Sequence, residues 1–204
     1  NEFRVSKFDV TTQKRAISKE DILKFMNDDQ PIGHNQYVQL SKDIFMFSYL
    51  CGGINFTDIA NLTKDNVVNG RLQYIRQKTG KLIRIGIPFE AMKMIQKYEV
   101  ESVGYIFPIL NSNKHKTALQ KQNRIHKMRT KINNNLKKIG KQLGIEINVT
   151  TYVARHSFAS VLKKSGVNIA IISEALGHSN LETTQIYLDN FDNEQMDEAM
   201  KNLL

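Results

Sequence analysis

The spacing of apolar residues in the first third of the chain predicts three helices. Apolar positions near helical spacing predict a buried helix from Asn35 to Tyr49 and a short one from Thr57 to Leu62. Ser18 and Asp21 resemble a capping box, which predicts that another short helix opens there and runs to about Asn27. Residues 1–17 show no regular period and are interpreted as a linker or lead-in.

The pattern changes to that of a small sheet after residue 66. Two turn signals, Asn69-Gly70 and Thr79-Gly80, separate three short runs that are rich in branched apolar residues. Pro88 follows the third run and suits the start of another helix. The strands are therefore expected over residues 67–68, 72–75 and 82–87, in antiparallel order.

The remainder of the chain has a helical pattern. Apolar residues from Leu119 to Leu143 recur mostly at steps of three and four, which predicts one long amphipathic helix with a basic polar face. Shorter helices are expected over residues 154–164, 168–176 and 181–188, with a last one beginning near Asn193. The whole pattern predicts a mainly α fold with a small three-stranded antiparallel β-sheet. We divide it into the lead-in, a domain over residues 18–190 and a tail over 191–204.

Composition narrows the class of protein. The chain has 204 residues, 41% of them hydrophobic and 24% charged, as expected for a soluble globular domain with a substantial core. A single cysteine, Cys51, argues against a disulfide framework or a cysteine-based zinc site and suits a reducing cytosol. No apolar run reaches membrane-spanning length. The start lacks both an initiator Met and a signal peptide, so we expect a fragment that an upstream domain precedes.

The charge points to a polyanionic partner. The net charge is +9, and ten Lys or Arg lie between Glu101 and Glu146 with no acidic residue among them. Lys and Arg side chains that neutralise phosphates release counterions, which favours binding to nucleic acid. A solvated basic helix face explains the same charges equally well. The candidate DNA-contacting residues are Lys81, Lys121, Arg124, Lys127, Arg129 and Lys131.

Three motifs in order carry the most specific signal. Tyr152-Val153-Ala154-Arg155-His156-Ser157-Phe158 is followed by Leu176-Gly177-His178-Ser179 and then by Thr183-Thr184-Gln185-Ile186-Tyr187, whose tyrosine lies nine residues after His178. With this order and spacing, the chain resembles the catalytic domain of the tyrosine recombinase, or phage integrase, family over about residues 18–190. The resemblance implies an enzyme that breaks and rejoins double-stranded DNA through a phosphotyrosine, without a cofactor. Five scattered histidines and no evident carboxylate cluster agree with metal-independent chemistry.

The resemblance assigns roles to four residues. Tyr187 matches the nucleophile, and a phosphotyrosine conserves the bond energy needed for rejoining. Arg155 matches an arginine whose planar fork holds phosphate oxygens, and His178 matches a histidine that donates to one of them. Lys78 matches the lysine of the turn between the second and third strands, which protonates the departing 5′-oxygen. His156 is expected to support the fold.

Two positions depart from the family pattern. Asn55 stands where the family usually has its first catalytic arginine, and Asp58 matches the acidic position that follows it. Tyr152 stands where many members carry a histidine, a feature that resembles integrases of Bacteroides-type mobile elements. A phenol with a reference pKa near 10 is a poorer base than imidazole at neutral pH, so the group that accepts the nucleophile's proton stays open. Three arginines near Asn55 in sequence are candidates for the missing charge, namely Arg71, Arg76 and Arg84.

The resemblance also predicts assembly and location. The family forms tetramers on DNA by passing a C-terminal segment to a neighbouring subunit, and residues 193–204 are a candidate for that segment or for a helix packed within its own subunit. A bacterial cytoplasmic, nucleoid-associated protein is expected. Three alternatives stay open. The first is a DNA-binding module that has lost catalysis, which Asn55 favours. The second is a type IB topoisomerase. The third is a generic basic RNA-binding protein, which would leave the order of the motifs unexplained.

Overall fold

The computed structural model describes residues 16–27 and 36–188 of the chain. The predicted lead-in over 1–17 falls almost wholly outside these ranges, and the predicted tail over 191–204 falls entirely outside them. The helices are α1 Lys19–Asn27, α2 Gln36–Leu50, α3 Phe56–Asn61, α4 Phe89–Tyr98, α5 Ala118–Gln142, α6 Thr151–Lys164, α7 Ile169–Leu176 and α8 Leu181–Leu188, and the strands are β1 Val67–Val68, β2 Arg71–Ile75 and β3 Leu82–Gly86. A 3₁₀ turn, Lys64–Asn66, precedes β1. The predicted mainly α class with a small sheet is confirmed.

The sheet follows the predicted hairpin pattern. Its strands are antiparallel in the order β1-β2-β3, with Tyr74 opposite Ile83 in the second pair. Asn69 and Gly70 both have positive φ, at 50° and 71°, as a two-residue turn matching the twist of its strands requires. Leu72, Tyr74 and Ile83 face the core, and the outer face of the sheet is exposed. The turn between β2 and β3 therefore lies at one end of a sheet whose inner face packs against the core.

The main core is built around α2, which packs against both α5 and α6. Ile44, Phe45 and Phe47 of α2 are fully buried. Apolar residues of α5 recur at helical spacing and are buried on the same side, so the predicted amphipathic helix is confirmed. These buried residues of α5 are Ile125, Met128, Ile132, Leu136 and Ile139.

A second, smaller cluster joins the last three described helices. Its buried members are Ala159, Ile172 and Leu176, contributed by α6 and α7, with partly buried apolar residues packed around them. The N-terminal half of α6 belongs to the main core through Val153 and Ala154. α6 therefore connects the two clusters, and α8 is held mainly by α7 and α6.

The start of α6 differs from the sequence-based expectation. The helix begins at Thr151 and not at 154, so Tyr152 lies in its first turn. The N-cap residue Thr150 makes no side-chain capping hydrogen bond. Instead the amide of Thr151 donates to Asn133 Oδ1 of α5 at 3.0 Å, which satisfies one of the donors that every helix start leaves unpaired. A partner from another helix leaves no local signal, which explains the error.

Candidate active site

Arg155 is the buried centre of the site. It lies in α6 and is 3% exposed. Its Nη1 donates to the carbonyl of Gly53 at 2.8 Å and its Nη2 to the carbonyl of Leu176 at 2.6 Å. Gly53 has a φ of 66°, and a Cβ there would lie 3.0 Å from Arg155 Cγ, so glycine allows this close approach. Neutral main-chain carbonyls therefore orient the guanidinium.

His178 sits beside Arg155 and follows the C-terminal end of α7. Gly177 caps α7 in the left-handed conformation with a φ of 63°, which turns the chain back towards α6. The imidazole is 8% exposed. Its Nε2 lies 3.2 Å from Arg155 Nη2, and its Nδ1 lies 2.8 Å from Thr184 Oγ1 in α8. The motifs that are separated in sequence thus meet in space.

Burial, supported by nearby positive charges, keeps the ring of His178 neutral at pH 7. Burial is the main cause that lowers the pKa of His178 to about 4, because desolvation disfavours the imidazolium. The positive charges of Arg155, Arg76, Lys78 and Lys81 act in the same direction. Both hairpin lysines therefore lie close enough to influence this ring.

Arg76 is a second buried arginine at this site. It follows β2 and is 5% exposed, and its Nη1 donates to the carbonyl of Gly177 at 2.6 Å. Its Nε is buried and has no hydrogen-bond partner among the described residues. The sequence offered Arg76 as one of three arginines near Asn55, whereas Arg71 and Arg84 are exposed on the sheet. Its position two residues before Lys78, within the same hairpin, is the signal that could have singled it out.

The hairpin that carries Lys78 is attached to α3. Asp58 accepts a hydrogen bond from the backbone N–H of Gln77 at 3.0 Å. Burial raises the pKa of this carboxyl, while the Gln77 bond and the two buried arginines act in the opposite direction. Lys78 itself is exposed in the turn between β2 and β3, as predicted. Asp58 therefore fixes the base of a turn whose lysine extends into solvent.

Two departures from the family pattern lie near this centre. Asn55 is the N-cap residue of α3, two positions after Gly53, and makes no side-chain capping bond. Tyr152 lies one turn before Arg155 in α6 and is 45% exposed, and its ring packs edge-on against His156 with the centroids 4.5 Å apart. Their participation in the reaction remains a prediction. Tyr187 falls within α8, but its side chain lies outside the described part of the chain, so its role also remains a prediction.

The basic residues of α5 form a separate surface. Lys127 and Arg129 are exposed, and Lys121 and Lys131 lie 5.9 and 3.4 Å from the ring centroids of Tyr105 and Tyr37. Arg124 is partly buried and donates from Nε to the carbonyl of Ile109 at 3.0 Å. Lys81, half-buried at the hairpin, lies close enough to His178 to influence its charge. DNA contact by all six residues stays a prediction.

Within residues 16–27 and 36–188, no group of three His, Cys, Asp or Glu side chains is placed to hold a metal ion. In the same ranges, no helix combines the length and the apolar character needed to cross a membrane.

The model of the phage integrase family matches residues 15–194. The chain belongs to this family. Among its relatives, the tyrosine recombinase XerA of Thermococcus kodakarensis is 30% identical to this chain over 177 residues. The match covers 85% of this chain and 57% of the relative. The tyrosine recombinase XerC of Rickettsia typhi is 28% identical over 182 residues, covering 85% and 55%. The chain thus spans little more than half the length of these relatives.

Solved structures show the same integrase-family fold. One is the XerH site-specific recombinase bound to its difH substrate in a pre-cleavage complex. The match covers 91% of this chain and 53% of the XerH chain, with a TM-score of 0.66 and 19% identity. The Tn1549 transposon integrase in complex with circular intermediate DNA matches 100% of this chain and 72% of its own, with a TM-score of 0.65 and 18% identity. The fold of the chain is therefore that of the catalytic part of DNA-bound recombinases.

Proposed function

We propose that this chain is the catalytic domain of a site-specific recombinase that cleaves and rejoins DNA through a 3′-phosphotyrosine. The observation that carries the proposal is the convergence of Arg155, Arg76 and His178 around residues 176–178, next to the helix that contains Tyr187. Two fixed positive charges oriented by main-chain carbonyls, together with an imidazole hydrogen-bonded to Thr184, suit the binding of a phosphodiester whose negative charge grows during reaction.

The reaction consists of two phosphoryl transfers. The Tyr187 oxygen attacks the scissile phosphorus, a phosphotyrosine bond forms, and the bond to the 5′-oxygen breaks. Lys78 protonates the departing 5′-oxygen, a contribution of about 10²- to 10⁴-fold for a positioned general acid. The 5′-hydroxyl of a partner strand then attacks the phosphotyrosine and releases Tyr187. No external energy source is needed, because each new phosphodiester replaces a bond of similar energy.

Arg76 supplies the positive charge that Asn55 lacks. Its Nη1 is anchored on Gly177, the residue before His178, and its buried Nε still has a hydrogen to donate. An anion would reach this donor after a shift of the Arg76 side chain, because the Nε atom has almost no accessible surface. We expect Arg76→Gln to slow cleavage by about 10²- to 10³-fold, as for loss of one transition-state donor. Arg84→Gln, on the exposed face of β3, is the matched control, and a rate loss of equal size in that variant would contradict the assignment.

Double-stranded DNA is the proposed partner. The XerH and Tn1549 structures contain DNA with those proteins. The exposed residues Lys127 and Arg129 of α5 would then contact phosphates, since Lys and Arg bind the backbone without reading sequence. We further propose that four copies assemble on DNA through residues 193–204, which lie outside the described residues. Such a protein acts where genomic DNA lies, which in a bacterium is the cytoplasmic nucleoid.

The test is trapping of the covalent intermediate. The chain is incubated in EDTA with a nicked suicide substrate that carries its recombination site, in parallel with Tyr187→Phe. A covalent protein–DNA band from the parent alone supports the proposal. Absence of an adduct on a site that the protein demonstrably binds would favour a DNA-binding module without catalysis, for which Asn55 is the specific observation. Relaxation of supercoils by a monomer would instead indicate topoisomerase-like chemistry.

A further inference from the structure

Two adjacent threonines of α8 lie in different environments. Thr184 is fully buried, and its Oγ1 is 2.8 Å from His178 Nδ1. Thr183 is exposed, and its hydroxyl bonds Asn180 at the start of the helix. A buried hydroxyl beside a buried imidazole requires matched donor and acceptor roles, because an unpaired polar group in the interior is costly. A hydroxyl can either donate or accept, so Thr184 fixes the position of the ring and its other neighbour sets the tautomer.

The neighbouring arginine decides the tautomer of His178. A guanidinium has only donors, so Arg155 Nη2 can approach Nε2 at 3.2 Å only if Nε2 accepts. In a neutral imidazole the other nitrogen then carries the hydrogen. The Nδ1–H therefore donates to Thr184 Oγ1. The reverse arrangement would place two donors, Nε2–H and Nη2–H, against each other.

We propose that Thr184 is a positioning residue that accepts a hydrogen bond from the Nδ1–H of the tautomer set by Arg155 and thereby keeps Nε2 as the atom that meets the phosphate. This inference deepens the proposed function and rests on it. Because Nδ1 already carries a hydrogen, a second proton can add only at Nε2. A phosphate oxygen then replaces the Arg155 contact at Nε2 and accepts a hydrogen bond from Nε2–H, while Nδ1–H keeps its bond to Thr184.

The scissile phosphate would trigger this protonation. Four cations surround the ring, Arg155 from α6 and Arg76, Lys78 and Lys81 from the hairpin, and they oppose a positive charge on it. A phosphate placed between Arg155 and Arg76 offsets that repulsion, so the imidazole takes a proton from solvent when DNA binds. Thr184 also ties the ring to α8, three residues before Tyr187. The group that binds the phosphate and the helix that carries the nucleophile are thereby linked.

The first test observes the tautomer directly. Long-range ¹H–¹⁵N correlation spectra of the histidine rings are recorded for the DNA-free 204-residue chain at pH 7, with His178→Gln for assignment. We expect the Nδ1–H form in the parent, in Thr184→Ser and in the matched control Thr183→Val. In Thr184→Val, which keeps the shape and removes the hydroxyl, the Nδ1–H form should persist because Arg155 sets it, but the Nδ1 proton loses its hydrogen bond and its resonance should move upfield.

An Nε2–H ring in the parent would overturn the proposal, as would an unchanged Nδ1–H resonance in a folded Thr184→Val. If that variant does not fold, the parent spectrum and Thr184→Ser still decide. The spectra need no DNA, so they remain informative if the chain forms no covalent adduct and the proposed function fails.

The second test separates positioning from binding. Single-turnover cleavage of the suicide substrate is measured at saturating protein, and affinity is measured separately on an uncleavable duplex. Thr184→Val should cleave about 10- to 100-fold more slowly, in the range expected for a displaced catalytic group. Its affinity should stay within about twofold of the parent. Recovery of the rate in Thr184→Ser is required, and a rate loss as large in Thr183→Val would overturn the proposal.

Discussion

The buried neutral state of His178 makes the stability of the domain depend on pH in a defined direction. Folding lowers the pKa of this ring from 6.5 to about 4. Between these two values the unfolded chain binds a proton that the folded chain does not, so the free energy of unfolding falls as the pH falls. The effect reaches about 2 kcal/mol at pH 5 and about 3 kcal/mol below pH 4.

Replacing the ring isolates this contribution. The free energy of unfolding is measured with urea for the parent and for His178→Gln, at intervals from pH 7.5 to 4.5. The stability of the parent relative to the variant should drop by about 2 kcal/mol between pH 7.5 and pH 5. Asp58, whose pKa burial raises, contributes with the opposite sign, but it is present in both proteins and largely cancels. Parallel pH profiles would show that His178 titrates normally in the folded state and would refute the electrostatic account of the site.

Three further predictions concern close packing and buried hydrogen bonds in the domain. Gly53→Ala should lower the free energy of unfolding by about 2 kcal/mol, measured with urea, since it combines a positive φ with a contact of 3.0 Å to Arg155. Asp43→Ala should lower the free energy of unfolding by about 2–4 kcal/mol in the same measurement, because three side chains donate to this buried carboxylate at 2.6–2.8 Å. A loss below about 0.5 kcal/mol would contradict a stabilising role of these hydrogen bonds. Asn133→Ala, which uncaps α6, should lower the melting temperature by several degrees, with the exposed neighbour Asn134→Ala as the unaffected control.

Features of the fold that depend on neighbouring residues could be predicted from the sequence. The Asn69-Gly70 turn and the spacing of the apolar residues of α5 are local signals, and both led to the correct element. The start of α6 was wrong because its first amide is capped by Asn133, 18 residues earlier in the chain. A capping residue supplied by a distant helix cannot be recognised from the local pattern.

The chemistry of the site could be predicted only in part. The motifs placed Arg155 and His178 correctly beside each other, since their spacing is a family property. The guanidinium of Arg76 is positioned by its hydrogen bond to the carbonyl of Gly177, which lies 101 residues further along the chain. No local sequence pattern specifies that contact. The neutral state of His178 depends on burial and on charges contributed by several elements. Such properties arise from tertiary packing, so they enter only with the structure.

The division of the apolar core into a large and a small cluster has a consequence for local unfolding. Separating α7 and α8 from the rest would expose chiefly the small cluster around Ile172 and Leu176, far less apolar surface than global unfolding exposes. Amide hydrogens in these two helices should therefore exchange through a partial opening with a shallow dependence on denaturant, while those of α2 and α5 exchange only when the whole domain unfolds. Arg155 belongs by its backbone to the slowly exchanging unit and His178 to the rapidly exchanging one. The candidate site is thus assembled across a boundary between two cooperative units of unequal stability.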